Sequence, residues 1–156
     1  MTLAVTGHRD LVIDDRLIKE IDIFFVQMLE KYGSITLLSA LADGADQIVA
    51  KCALKYKNIS VDVPLPFGQE EYLQTLEHKE NFFSLLKDST HHFVIPKVYE
   101  HPYENLGHYL VDNSDVLLAL WEGSFTGKQG GTGEVVSYAK SKNHRLMHIY
   151  VTRKNN

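Results

Sequence analysis

The segment Gly127-Lys128-Gln129-Gly130-Gly131-Thr132-Gly133-Glu134 follows the apolar run Asp115 to Trp121 and leads into a helix-like stretch. Strand, glycine loop and helix in that order form an anion site. Glycine lets the backbone approach a phosphate closely, and the helix N-terminus directs free N–H groups and a partial positive charge at it. The chemistry expected here is phosphate recognition.

Two further strand ends have the same character. Leu3-Ala4-Val5-Thr6-Gly7-His8-Arg9-Asp10 is a short apolar strand that ends in Thr-Gly, and Leu37-Leu38-Ser39-Ala40-Leu41-Ala42-Asp43-Gly44-Ala45-Asp46 passes from a strand through small residues into a helix. An open α/β sheet gathers such ends at one crevice. Glu122, in Trp121-Glu122-Gly123 after the fifth strand, belongs to the rim of that crevice.

Each side chain near these ends has two readings. Arg9 presents forked donors to a phosphate or pairs with Asp10 or Asp14 at the surface. His8 bonds a base or phosphate, or satisfies a local backbone carbonyl. Asp46 holds a ribose or serves as a structural acid early in its helix. Trp121 stacks on a base or belongs to the core or an interface. Glu134, in a first helical turn, bonds ribose hydroxyls or orients a water as a general base, or else caps backbone donors. Cys52 lies on an apolar helix face and reads as core. His91-His92 and His101 with His108 have no metal-ligand spacing, so neither a metal nor a cofactor is expected.

The elements that must position these residues alternate along the chain, as in a mostly parallel sheet with helices on both faces. Strands are expected near Leu3 to Thr6, Ile35 to Ser39, Ile59 to Val63, His92 to Ile95, Val116 to Trp121 and Leu146 to Val151. Helices are expected over about Asp15 to Lys31, from an N-cap at Asp43, over about Gln69 to Leu86, over Tyr103 to Val111, and from Gly131 to Lys142. In the first, Leu17, Ile18, Ile21, Phe24, Phe25, Met28 and Leu29 form a core stripe.

The resulting fold class is α/β: a Rossmann-like three-layer sandwich, one domain over residues 1–152 with a frayed polar tail, 153–156. With 156 residues, 44% hydrophobic and 23% charged, the chain can bury its own core. A net charge of -4 without any Lys/Arg concentration argues against nucleic acid. A lone cysteine, no signal-peptide pattern and no apolar run near the ~20 residues needed to span a bilayer argue for a cytoplasmic protein with no membrane partner. Tyr99, Tyr103, Tyr109 and Tyr138 read as exposed, which predicts a homodimer or higher oligomer.

Thr6-Gly7-His8-Arg9, Ser39 through Asp46, Leu65-Pro66-Phe67 with Glu71-Tyr72, and Asp115-Val116-Leu117 through Glu134 together resemble the SLOG superfamily. These Rossmann-like domains include the Lonely-guy phosphoribohydrolases, the DprA-like proteins and ligand-sensing domains of bacterial conflict systems. The resemblance implies a site for a nucleotide or nucleotide-derived small molecule, with Gly7, Ser39, Gly130, Gly131 and Thr132 around phosphate and ribose. His8, Arg9, Ala42, Gly44, Asp46, Glu122 and Glu134 complete the candidate ligand contacts, and Glu134 is the candidate catalytic residue.

The chain departs from the hydrolase pattern. Lonely-guy hydrolases resemble one another in a Gly-Gly-x-Gly-Thr-x-x-Glu loop and an Arg on the preceding helix. Here Val135 occupies the Glu position when Thr132 is matched, Glu134 sits one residue early, and Tyr103 to Val111 contains no Arg. A ligand-sensing module is therefore the first expectation. A phosphoribohydrolase cleaving the N-glycosidic bond of a nucleoside 5′-monophosphate and an assembly scaffold with a degenerate site are the alternatives.

Overall fold

The computed structural model describes residues 1–124 and 130–154. Its centre is a six-stranded sheet in the order β4-β3-β2-β1-β5-β6. The strands are β1 (Thr2–Gly7), β2 (Ile35–Leu38), β3 (Ile59–Leu65), β4 (His91–Val94), β5 (Val116–Trp121) and β6 (Arg145–Tyr150). Every neighbouring pair is parallel. Helices α1 (Asp15–Tyr32), α2 (Ala45–Ala53) and α4 (Lys79–Asp88) pack as one layer. The other layer is α5 (Pro102–Asp112) against α6 (Thr132–Ser141), so the molecule is a Rossmann-like three-layer sandwich. Among the described residues no helix is long and apolar enough to cross a membrane.

Both faces of the central strands are covered, which is why they read as unbroken apolar runs rather than as alternation. Val116, Leu117, Leu118, Ala119 and Leu120 of β5 are all fully buried. Helix α1 buries Leu17, Ile21, Phe24, Phe25 and Met28 at spacings of three and four, the stripe expected of a helix lying on a sheet. Asp14 starts it by accepting from the Leu17 N–H at 2.9 Å. Gly33, at φ 80°, ends it and returns its own N–H to Leu29 O. Cys52 is buried on α2.

Four expectations require correction. The single helix over Gln69 to Leu86 is two, α3 (Gln69–Leu73) and α4. The Thr75 hydroxyl donates to Tyr72 O at 2.7 Å and competes with helical propagation. Asp43 then holds the break open, accepting from the Glu77 and His78 N–H groups at 2.8 and 2.9 Å.

Asp43 thus caps the approach to α4, and the residue at the N-cap of α2 is Gly44. The tail is pinned as far as Lys154: Val12 N–H donates to Thr152 O, Lys154 N–H donates to Asp10 O, and Leu11 and Arg153 form an antiparallel bridge.

The tyrosines read as exposed are partly covered within the chain. Tyr103 packs edge-on to Phe67, Tyr109 to Phe93 and Tyr99 to His108, while Tyr138 stacks on His108 and donates its hydroxyl to Asp112. All four are half-buried rather than exposed.

Candidate functional site

From β1 the chain steps outward through β2, β3 and β4, then returns to the other side of β1 as β5. The loops leaving β1 and β5 therefore diverge, and a crevice opens at the carboxyl ends of the two strands. A cavity of about 590 Å³ lies there. That is the size of an ordinary small-molecule site, roughly 300–1,000 Å³. Because all strands are parallel, Gly7, Ser39 and the Gly130 loop lie at the same edge of the sheet. Gly127, Lys128 and Gln129 of that loop lie outside the described residues.

One wall is backbone. Gly130, Gly131, Thr132 and Gly133 face the cavity at the start of α6, where the Thr132 and Gly133 N–H groups have no partner within the helix and that of Glu134 bonds Gly131 O at 3.1 Å. Gly130 sits at φ 76°, and a Cβ there would come within 2.5 Å of Tyr103 Cβ and 3.0 Å of Glu104 N. Glycine is thus required for the loop to lie against α5. Gly7 has a different constraint: its Cβ would meet Ala45 Cβ at 2.4 Å and Leu120 O at 2.7 Å. It lets α2 dock on the strand end, where Ala45 N–H donates to His8 O at 3.1 Å.

Charged side chains close the mouth. Arg9 donates to Thr75 O at 2.9 Å and lies 5.7 Å from the centroid of the Tyr103 ring. Neither Asp10 nor Asp14 pairs with it. Asp10 is taken by Arg153, whose Nε donates to both carboxylate oxygens at 3.0 and 3.2 Å. Burial works against the Asp10 carboxylate, yet the Arg153 hydrogen bonds and charge outweigh it and hold its pKa below the usual 3.8.

His8 lies in the cavity wall and is oriented from behind by Glu122. Its Nε2 is 2.8 Å from Glu122 Oε1, and since an ionised carboxylate only accepts, Nε2 carries the proton of that bond. Burial opposes ionisation of Glu122, but its bonds with His8 and Ser124 prevail and lower its pKa.

Asp46 of α2 and Ala42, in the loop before that helix, form the next wall. Asp46 keeps some surface open toward the cavity while protein surrounds the rest of the residue. Desolvation by that surrounding protein pushes its pKa up from 3.8 to about 7, against smaller opposing effects of the Ala42 N–H and Arg9. Beside it stands Tyr72 of α3, 1% exposed.

The structure therefore brings Gly7, His8, Arg9, Ala42 and Asp46 together with Gly130, Gly131 and Thr132 around one cavity. Four other candidates stand outside its wall. The Ser39 hydroxyl is fully buried, donating to Asp46 O and accepting from Leu41 N–H, so it fixes the start of α2. Gly44, at φ 79°, faces the backbone oxygens of His8 and Arg9, each 2.5 Å from where a Cβ would be. Glu122 acts on His8 from behind, as above. Glu134 accepts from Gly130 N–H at 3.1 Å and so fastens its own loop.

Trp121 also stays out of the cavity, donating its indole N–H to Ser124 O at 2.8 Å. Sequence reasoning missed Tyr72, Tyr103 and the Asp10–Arg153 pair as wall residues. Tyr72 appeared only within the Glu71-Tyr72 resemblance. Arg153 gave no local signal, because its partner lies 143 residues away.

No protein-family model matches the chain, and no curated relative matches it. Among solved structures it is similar to Streptococcus suis SuiB bound to S-adenosylmethionine, at 11% identity and a TM-score of 0.31. The match covers 96% of this chain and 50% of that one, so the chain spans half that protein's length.

Proposed function

We propose that this chain binds a nucleotide or nucleotide-derived phosphorylated small molecule, as a ligand-sensing domain of the SLOG type. The observation that carries this reading is that the first turn of α6 and the Arg9 guanidinium share one cavity. Backbone N–H groups at a helix start and a forked cation are the two commonest protein devices for holding phosphate. Arg9 meets only neutral oxygens of Thr75 and a tyrosine ring among the described residues, which leaves its charge uncancelled by a carboxylate contact. Cleavage of the ligand has less support, since the Glu134 carboxylate is engaged by Gly130 N–H.

The test is mass spectrometry of small molecules that co-purify with the protein, followed by calorimetric titration with the four ribonucleoside 5′-monophosphates and the corresponding nucleosides. At least one monophosphate is expected to bind about 100-fold or more tightly than its nucleoside, with no free base released on chromatography. Absence of binding by every monophosphate, together with no co-purifying phosphorylated compound, would overturn the proposal.

A further inference from the structure

We infer that Tyr72 and Asp46 form a sugar-reading end of the cavity, where one ring hydroxyl of a phosphorylated sugar donates to the Asp46 carboxylate and accepts from the Tyr72 hydroxyl. This rests on the proposed function and specifies which part of the ligand lies at the α2 wall.

The starting point is an unpaired polar group. Tyr72 is 1% exposed, and its hydroxyl makes no hydrogen bond among the described residues. The hydroxyl is not sealed off, so the cavity that Tyr72 lines is where its partner must come from. The ring cannot easily turn to find one, because Phe67 and Phe82 pack edge-on against it at 5.8 and 6.1 Å between centroids. It lines the cavity, and burial, reinforced by the nearby charge of Asp46, raises its pKa far enough to keep the proton in place. Tyr72 is therefore a fixed, protonated donor with nothing in the protein to donate to.

Asp46 is the complementary acceptor. Its Oδ2 takes only a long contact from Ala42 N–H, 3.4 Å, and Oδ1 takes no hydrogen bond among the described residues. The helix holding it is fixed by the Ser39 hydroxyl on the Asp46 carbonyl at 3.1 Å, so the carboxyl is placed by buried structure.

An acceptor and a donor lining one cavity, near enough for the charge of one to act on the other, select the chemistry of the occupant. A second phosphate is repelled by the Asp46 carboxylate. A base N–H satisfies Asp46 and leaves the Tyr72 proton unpaired, whereas a base carbonyl satisfies Tyr72 and abuts the carboxylate. A hydroxyl donates and accepts through one oxygen, and so satisfies both. Sites built around a buried hydroxyl contact discriminate strongly against analogues that lack it, because the protein groups are then stranded.

The test compares wild type with Tyr72→Phe at pH 8, using the four ribonucleoside 5′-monophosphates and their 2′-deoxy and 3′-deoxy analogues in calorimetric titrations. Wild type is expected to prefer a ribonucleotide over one of its two deoxy analogues by about 10-fold or more. Tyr72→Phe should weaken the ribonucleotide by about 10-fold and leave that deoxy analogue nearly unchanged. Its ligand-free thermal midpoint should equal or exceed that of wild type, since the lost hydroxyl has no partner in the protein.

Ribonucleotide binding with the same discrimination in both proteins would overturn this inference alone. A midpoint several degrees lower in the variant would overturn it too, by showing that the hydroxyl is held within the protein. Failure of wild type to bind any monophosphate would overturn the proposed function and this inference together.

Discussion

Asp46 and Glu134 occupy nearly equivalent places and have opposite surroundings. Both are acids in the first turn of a helix that follows a strand at the same sheet edge. Glu134 is the third residue of α6, and from there its side chain reaches back to the Gly130 N–H. Asp46 is the second residue of α2, and its shorter side chain spans the same four residues only as a long 3.4 Å contact with Ala42 N–H, so its carboxyl remains at the cavity. The longer acid thus fastens its loop, while the shorter one, a position earlier, is left facing the cavity. With its acid turned to the Gly130 N–H, the α6 end keeps the Thr132 and Gly133 N–H groups for an anion. The α2 end keeps a carboxylate for a donor.

The contrast breaks most completely at the glycine loop. Gly131 is the N-cap of α6, with φ −76° and ψ 169°, a conformation valine also adopts. Gly131→Val should therefore fold, but its branched side chain would stand where the backbone meets a phosphate. Monophosphate affinity is expected to fall by more than about 100-fold, measured calorimetrically, with the thermal midpoint of the ligand-free protein nearly unchanged. Retained affinity would place the anion elsewhere in the cavity and undo the assignment of the two ends.

The Asp46 side of the comparison predicts a pH dependence. Unfolded, the carboxyl ionises near 3.8; folded, desolvation moves it to about 7. Between those values the folded chain holds a proton that the unfolded chain has shed. The stabilising contribution of the protonated form is fully present below about pH 4, falls as pH rises, and is gone above pH 7. Asp46→Asn removes this slope. Its stability relative to wild type should therefore increase from pH 5 to pH 8, by a few kcal/mol at most. Denaturant midpoints at the two pH values measure it, and a difference that does not change with pH would mean Asp46 is well solvated.

Much of the fold was legible because its signals are local. The β5 run and the three- and four-residue spacing of α1 each specify their own element, and parallel pairing then brings the ends of β1, β2 and β5 to one edge. What escaped depends on contacts between distant segments. The break after Leu73 is stabilised by Asp43, some thirty residues earlier, through bonds to Glu77 and His78. Arg153 reads as tail until Asp10 is placed beside it. At the site, the residue types identified the edge, but not which side chains face inward. Ser39 and Asp46 look equally suitable in sequence, yet Ser39 is turned into the protein to hold the helix that presents Asp46.

The smallest expected effect is at Glu134, and it tests the comparison from the other side. Glu134→Gln retains an oxygen that accepts from Gly130 N–H and loses only a negative charge near the start of α6. A carboxylate there interacts with the helix dipole by about 0.3–1 kcal/mol, so the thermal midpoint should fall by roughly 1–4 °C. Removing a negative charge beside an anion site also slightly favours the anion, so monophosphate affinity should rise, by less than about 3-fold. No free base should appear with wild type or variant. If wild type releases base from a nucleoside monophosphate and Glu134→Gln slows that release by roughly 100-fold or more, the carboxylate is a proton-transfer group. It would then have to leave Gly130 when the ligand enters, and the two acids would differ in timing rather than in role.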